Sequence, residues 1–172
     1  SLLVTVVSLS SLTIFLIPLI ALMLSYDAVI GEVERGTLLL LLSYPLARWH
    51  AIGGKFLGHL AVLAFATVVG YGSAGAVLVA QGVEADNANW FAFAAVIGSS
   101  VLLGAAFLAI GYLISTIVKE RATAAGTAVA VWLMFVLIYD MALLGLLVAD
   151  GGNSISGSVF NALLLANPTD AY

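Results

Sequence analysis

Four stretches of this sequence are apolar for about the length that crosses a bilayer, and short polar breaks separate them. A helix that spans the hydrocarbon core needs roughly 20 apolar residues. Residues 2–25, 55–80, 90–118 and 122–149 each meet that length. No polar stripe at helical period runs along the first, second or fourth, so a soluble bundle with one wet face per helix does not fit. Composition agrees, since 63% hydrophobic residues with only 8% charged lies far outside soluble averages. The expected fold is all-α, a polytopic transmembrane bundle forming one domain over residues 1–172.

The breaks set the connections. Residues 81–89 (QGVEADNAN) are polar and turn-prone, 119–121 (KER) make a tight charged turn, and 150–157 (DGGNSISG) form a Gly/Ser/Asn loop. Pro18 falls inside the first span and should kink it or interrupt its hydrogen bonding. The sequence opens with Ser1 inside an apolar run and stops after a turn signal at Tyr172, so further helices are expected on both sides. There is no cysteine, which excludes disulfides, thiolate metal sites and cysteine catalysis.

Orientation follows from the basic residues. Arg35, Arg48 and Lys55 belong to the first connection, and Lys119 and Arg121 to the third. The second and fourth connections have neither Lys nor Arg and carry Glu84, Asp86 and Asp150 instead. Lys/Arg-rich loops stay in the cytoplasm, so the first and third connections are expected there. Residues 150–172 then form an extracytoplasmic segment. Gly54 and Gly58, then Gly70, Gly72 and Gly75, and Gly104 and Gly111 are expected mostly to let helices approach closely, which is how spans pack in lipid.

Residues 26–55 stand apart from the apolar runs. In them Val29, Ile30, Val33, Thr37, Leu40 and Leu41 share one helical face, while Asp27, Glu34, Arg35 and Leu38 share the other, with Glu32 at the flank. Glu32 and Arg35 can pair at i, i+3. This pattern predicts an amphipathic helix over 27–43 lying at the membrane face. Gly36 interrupts it and Pro45 follows its end.

The residues Gly31-Glu32-Val33-Glu34-Arg35-Gly36-Thr37-Leu38, then Leu41-Leu42-Ser43-Tyr44-Pro45, Arg48 and Gly54-Lys55-Phe56-Leu57-Gly58 resemble the cytoplasmic elbow of ABC-exporter permeases of the ABC-2 family. The resemblance implies a multi-pass permease of the bacterial inner (cytoplasmic) membrane. It implies a coupling helix at 27–43, with Glu32, Glu34, Arg35, Gly36 and Thr37 seated in a groove of a cytoplasmic ABC ATPase. ATP and Mg would be bound by that partner, with no cofactor in this chain, and a second copy of the permease would complete the membrane part. The ending from Phe160 through Asn167-Pro168-Thr169-Asp170 to Tyr172 is similar to permeases encoded with nitrous oxide reductase maturation genes, the NosDFY-type exporters. That likeness implies a periplasmic accessory protein and a role in assembling a copper–sulfur centre. Membrane lipid is the remaining partner, and no nucleic-acid partner is expected.

Catalytic chemistry is not visible in the sequence. No GxxxxGK[ST] cradles phosphates, and Gly70-Tyr71-Gly72-Ser73-Ala74-Gly75 lies mid-span without a lysine. His50 and His59 are two imidazoles where a metal site needs three or four ligands. Met23, Met134 and Met141 form no ladder that would favour a soft metal. The chain therefore reads as a permease subunit with no catalytic, cofactor-binding or metal-binding residue, and not as an enzyme. The rival reading is a membrane anchor or assembly subunit without transported cargo.

One ionisable residue falls inside a span. Asp140 is about nine residues from the outer end of the fourth run, and a carboxylate there is a functional candidate by default. Tyr71, Ser73, Ser99 and Ser100 are expected at similar depth, and Ser8 is a possible addition from the first span. Two readings stay open: the group lines a polar pathway, or it is interhelical glue with serines bonded back to their own helices. In the tail, Ile155, Val159, Phe160, Leu163 and Leu164 make an apolar face that should lie on the outer surface or dip in and return.

Overall fold

The computed structural model describes residues 2–43, 48–80, 82, 87–150, 165 and 167–169. Its elements are α1 (Leu2–Ser25), α2 (Ile30–Glu34), α3 (Thr37–Ser43), α4 (Arg48–Ala80), α5 (Asn87–Ile117), α6 (Arg121–Leu133), a π-helical turn (Met134–Ile138) and α7 (Tyr139–Asp150). There is no strand among the described residues. Four helical stretches are long and apolar enough to cross a membrane: Ser10–Glu34, Trp49–Ala80, Trp90–Ile117 and Arg121–Ile138. The fold is thus an all-α polytopic bundle.

Helix α5 is the centre of it. Its most extensive packing is against α1, then α4, and the buried cluster joins Ala21 and Leu22 of α1, Leu63 of α4, Leu103, Phe107, Leu108 and Ile114 of α5, and Ala124 and Ala128 of α6. Two glycines make the close approach possible. A Cβ on Gly111 would come within 1.9 Å of Ser25 Oγ, and one on Gly104 within 2.5 Å of Leu63 Cδ2. Seven residues bring an α-helix back to almost the same face, so this pair forms one groove on α5. Gly75 likewise faces the Phe93 ring at 3.2 Å. The expectation of glycine packing does not extend to Gly54, Gly58, Gly70 and Gly72, which meet nothing within 4 Å. The GxxxG spacing on α4 marks a face with no neighbour among the described residues.

Two boundaries differ from the sequence reading. Helix α4 begins at Arg48 and runs 33 residues, about two turns before the apolar run starts. Charge marks where a span meets water, but nothing between Arg48 and Lys55 stops a helix from continuing past that level. The amphipathic helix expected over 27–43 is two helices, α2 and α3. Between them Gly36 has φ +71°, a left-handed conformation that only glycine adopts cheaply.

The apolar helices also carry two irregular points. Pro18 is fully buried within α1. The fourth span changes to π geometry at Met134–Ile138 before resuming as α7. In the described part of the tail Leu165 is 72% exposed, whereas Asn167 and Thr169 are 0% and 3% exposed and both reach the Phe135 carbonyl. Phe135 lies about 21 Å along the helix from Arg121 at 1.5 Å per residue, which is membrane depth. The tail's expected apolar face, Ile155 to Leu164, falls outside the described residues.

Candidate functional site: the cytoplasmic elbow

The first and third connections meet at one end of the bundle, as helices of alternating direction require. Arg121, the first residue of α6, joins Asp27 through Nη2 at 2.7 Å. Its backbone N–H donates to Glu34 Oε1 at 2.7 Å. The residue before α6, Glu120, makes no side-chain cap of its own. Glu34 therefore caps α6 from another helix. A carboxylate there satisfies one of the unpaired N–H groups of the first turn and opposes the positive end of the helix dipole.

Helix α2 is held in the same reciprocal way. Its own N-cap position, Val29, supplies no side-chain bond. Instead Ser115, near the end of α5 and 1% exposed, accepts the N–H groups of Val29 and Ile30, each at 3.0 Å. A five-residue helix has too few bonds to offset the cost of nucleation. Its persistence depends on this docking.

Helix α4 supplies the third tie. Lys55 Nζ donates to the Ala28 carbonyl at 2.7 Å and pairs with Glu32 Oε1 at 2.5 Å. One turn further along, His59 Nδ1 is bonded to Tyr112 OH of α5 at 2.9 Å, with Phe56 edge-on to the same ring. His59 is thus half-buried and partnered. His50 stacks on Trp49, ring centroids 3.9 Å apart. Among the described residues no three His, Asp or Glu side chains gather as metal ligands do.

The sequence treats Glu32, Glu34, Arg35, Gly36 and Thr37 as one set, but the structure divides it. Glu32 is half-buried and engaged by Lys55, while Glu34, itself exposed, lays its carboxylate on the α6 N-terminus. Arg35, Gly36 and Thr37 are exposed, with Thr37 Oγ1 within 3.4 Å of the Glu32 carbonyl. Val33, Leu39 and Leu40 add apolar surface beside them. Gly31 is crowded, since a Cβ there would lie 3.1 Å from Arg35 Nη2 and 3.2 Å from Asp27 Oδ2. The elbow therefore has an inner, polar side bolted to three spans and an outer side of mixed character.

The pathway candidates are only partly brought together. Tyr71 and Ser100 are buried, and Ser100 Oγ donates to the Val96 carbonyl at 2.5 Å, with Tyr71 OH 3.4 Å away. Ser73 is exposed and turned onto the Gly70 carbonyl, and Ser99 onto those of Ala95 and Val96. Asp140 is carried near the start of α7, and its side chain lies outside the described residues. Ser8 is exposed. A mostly apolar groove of about 360 Å³ lies between α1 and α4, with Thr13, Thr67 and Tyr71 at its wall.

The chain is thus a polytopic helical membrane bundle whose charged elbow is clamped across one end of its spans. The family model described as ABC-2 family transporter protein matches residues 2–172, and the chain belongs to that family. Two curated relatives carry the name probable ABC transporter permease protein NosY. The protein of Pseudomonas aeruginosa is 51% identical over 169 residues, covering 98% of this chain and 61% of the relative. That of Stutzerimonas stutzeri is 49% identical over 170 residues, with the same coverage. The chain spans about three fifths of the length of these relatives. It is a multi-pass protein of the bacterial inner membrane.

Proposed function

We propose that this chain is the membrane-embedded permease part of an ATP-driven ABC exporter, with the elbow receiving a cytoplasmic ATPase. The observation that carries the reading is the two-sided elbow. Its inner side is tied to α4 through Lys55, to α5 through Ser115 and to α6 through Arg121. Its outer side leaves Val33, Arg35, Gly36 and Thr37 exposed. A push on the outer side is then delivered to three spans at once, because breaking any tie strands a polar group that would need new partners.

In this reading ATP and Mg are bound by the partner ATPase subunits, and a second copy of the permease completes the membrane assembly. The permease contributes differential contacts between its states and no bond chemistry. The likeness to proteins named NosY supports a role in maturation of the copper–sulfur centre of nitrous oxide reductase, with a periplasmic accessory protein as a further partner. Glu32 and Glu34 act as transmission residues in this scheme, and Arg35, Gly36 and Thr37 as contact residues.

Affinity capture of the ATPase by the full-length permease tests this directly. Arg35→Glu and Val33→Asp should insert normally and lose the ATPase. Glu34→Gln should keep the ATPase bound but weaken the coupling of hydrolysis to transport. Undiminished capture by both outer-side variants would refute the assignment.

A further inference from the structure

Two helix irregularities lie within the apolar spans, and a side chain from another element donates to a backbone carbonyl near each. Pro18 has no N–H, so the ladder of α1 is interrupted across its preceding turn. Within that turn the Phe15 carbonyl accepts Trp132 Nε1–H from α6 at 3.0 Å. Three residues beyond Trp132, the Phe135 carbonyl accepts Asn167 Nδ2–H at 2.9 Å, with Thr169 Oγ1 3.4 Å away. The Phe135 ring meets Phe107 of α5 edge-on, 5.8 Å between centroids.

The backbone bonding of the π turn gives this arrangement its meaning. The Tyr139 N–H is bonded to the Met134 carbonyl, five residues back. In α geometry that N–H would belong to the Phe135 carbonyl, four residues back. The oxygen that the π turn withholds from Tyr139 is the one that the tail takes. Asn167 is itself held for the task, because its Oδ1 accepts the Thr169 N–H at 3.1 Å and the Thr169 hydroxyl at 2.7 Å.

We propose that the 167–169 turn is a latch that selects π over α geometry at Met134–Ile138 and so sets the rotation of α7. Two donors, Asn167 Nδ2–H and the Tyr139 N–H, compete for one half-buried oxygen. With the latch engaged, Phe135 serves the tail and the helix carries an extra residue in one turn. With the latch withdrawn, Phe135 takes the Tyr139 N–H and the helix becomes continuous α. Everything beyond then turns by about 100° and shifts by about 1.5 Å, one residue of register. Asp140 and the exposed Met141, Leu144 and Val148 lie on the part that turns. An unpaired carbonyl at membrane depth costs several kcal/mol, so the element has two states and no stable intermediate. Asn167 acts as a positioning residue. The switch stands without the exporter reading; only its coupling to ATP, through Trp132, α1 and the elbow, rests on that reading.

Spin labels placed singly at positions 121–148 of the full-length protein in lipid nanodiscs measure helix phase through oxygen accessibility. The wild type should show a phase break of about 100° between α6 and α7. In Asn167→Leu/Thr169→Val the break should vanish. Its persistence with the Asn167 donor and its Thr169 support removed would overturn the proposal. Deleting Leu137, an exposed residue of the π turn, provides a second measurement should that double variant fail to assemble. The deletion removes the extra residue, so the helix should become regular while α7 keeps its wild-type face. Rotation of α7 by the deletion alone would equally overturn the latch.

Discussion

Ser115→Ala removes one oxygen and strands two backbone donors. The Val29 and Ile30 N–H groups both end on Ser115 Oγ at 3.0 Å, the first half-buried and the second buried. An unsatisfied buried donor costs about 1–3 kcal/mol. Water can reach the Val29 side at this cytoplasmic end, so the lower part of the range applies, about 2 kcal/mol for the pair. Helix α2 has no internal cap to replace the loss. At 1.4 kcal/mol per factor of ten, local opening of α2 should become about 30-fold more frequent. Hydrogen exchange reads this at the Val29 and Ile30 amides of the full-length protein. Their exchange should accelerate by about that factor, while the amides of α5 around Phe107 stay protected. Ser115→Thr, which keeps the hydroxyl, should stay near wild type. Exchange in Ser115→Ala within about threefold of wild type would refute the claim that α5 holds the elbow.

Gly111→Ala should destabilise by at least the 1–3 kcal/mol typical of overpacking, because its Cβ would lie 1.9 Å from Ser25 Oγ; a thermal melt of the detergent-solubilised protein measures it, and Ser25→Ala in the same chain should restore part of the loss. Gly36→Ala meets no neighbour but puts a Cβ at φ +71°, so a cost of about 1–2 kcal/mol should appear as faster proteolysis between α2 and α3 with the bundle's melting point little changed. Lys55→Met should release Glu32 and the Ala28 carbonyl together and lower ATP-driven transport more than it lowers expression, read by comparing the two in proteoliposomes. A cysteine at Asn87 should react with an impermeant thiol reagent in intact cells and one at Lys119 only after the inner membrane is opened, since the Lys/Arg-bearing connections stay inside.

The spans were legible because apolar length alone decides them, and the charges of 26–55 marked the end of the bundle where the first and third connections meet. What the sequence could not convey is which groups those charges serve. Glu32 and Glu34 read as partner contacts because exposed acidic residues on an amphipathic helix usually are. Their recipients, Lys55 and the α6 N-terminus, are set by how the spans pack. Ser115 gave no signal at all, since a serine near the end of a span reads as one bonded to its own helix. The KER turn opposite an acidic elbow was the one local hint, and it points to Arg121. Glycine spacing was equally ambiguous: Gly104 and Gly111 face neighbouring spans, whereas Gly54 and Gly58 at GxxxG spacing face nothing nearby. For the tail that holds the buried Asn167 the sequence left open an outer-surface position or a dip in and return, because π turns have no sequence pattern that would choose.

The elbow as the point where force enters the membrane is best tested by cross-linking in the assembled complex. Cysteines at Arg35 and Thr37 of the full-length permease, each paired with cysteines along the candidate groove of the ATPase, should form disulfides in high yield. That yield should change between the nucleotide-free and ATP-bound states. A control cysteine at Ile30, buried on α2, should stay unreacted. Cross-links that form at Ile30 but not at Arg35 or Thr37, or none at any of the three in a complex that still hydrolyses ATP and transports, would contradict the account.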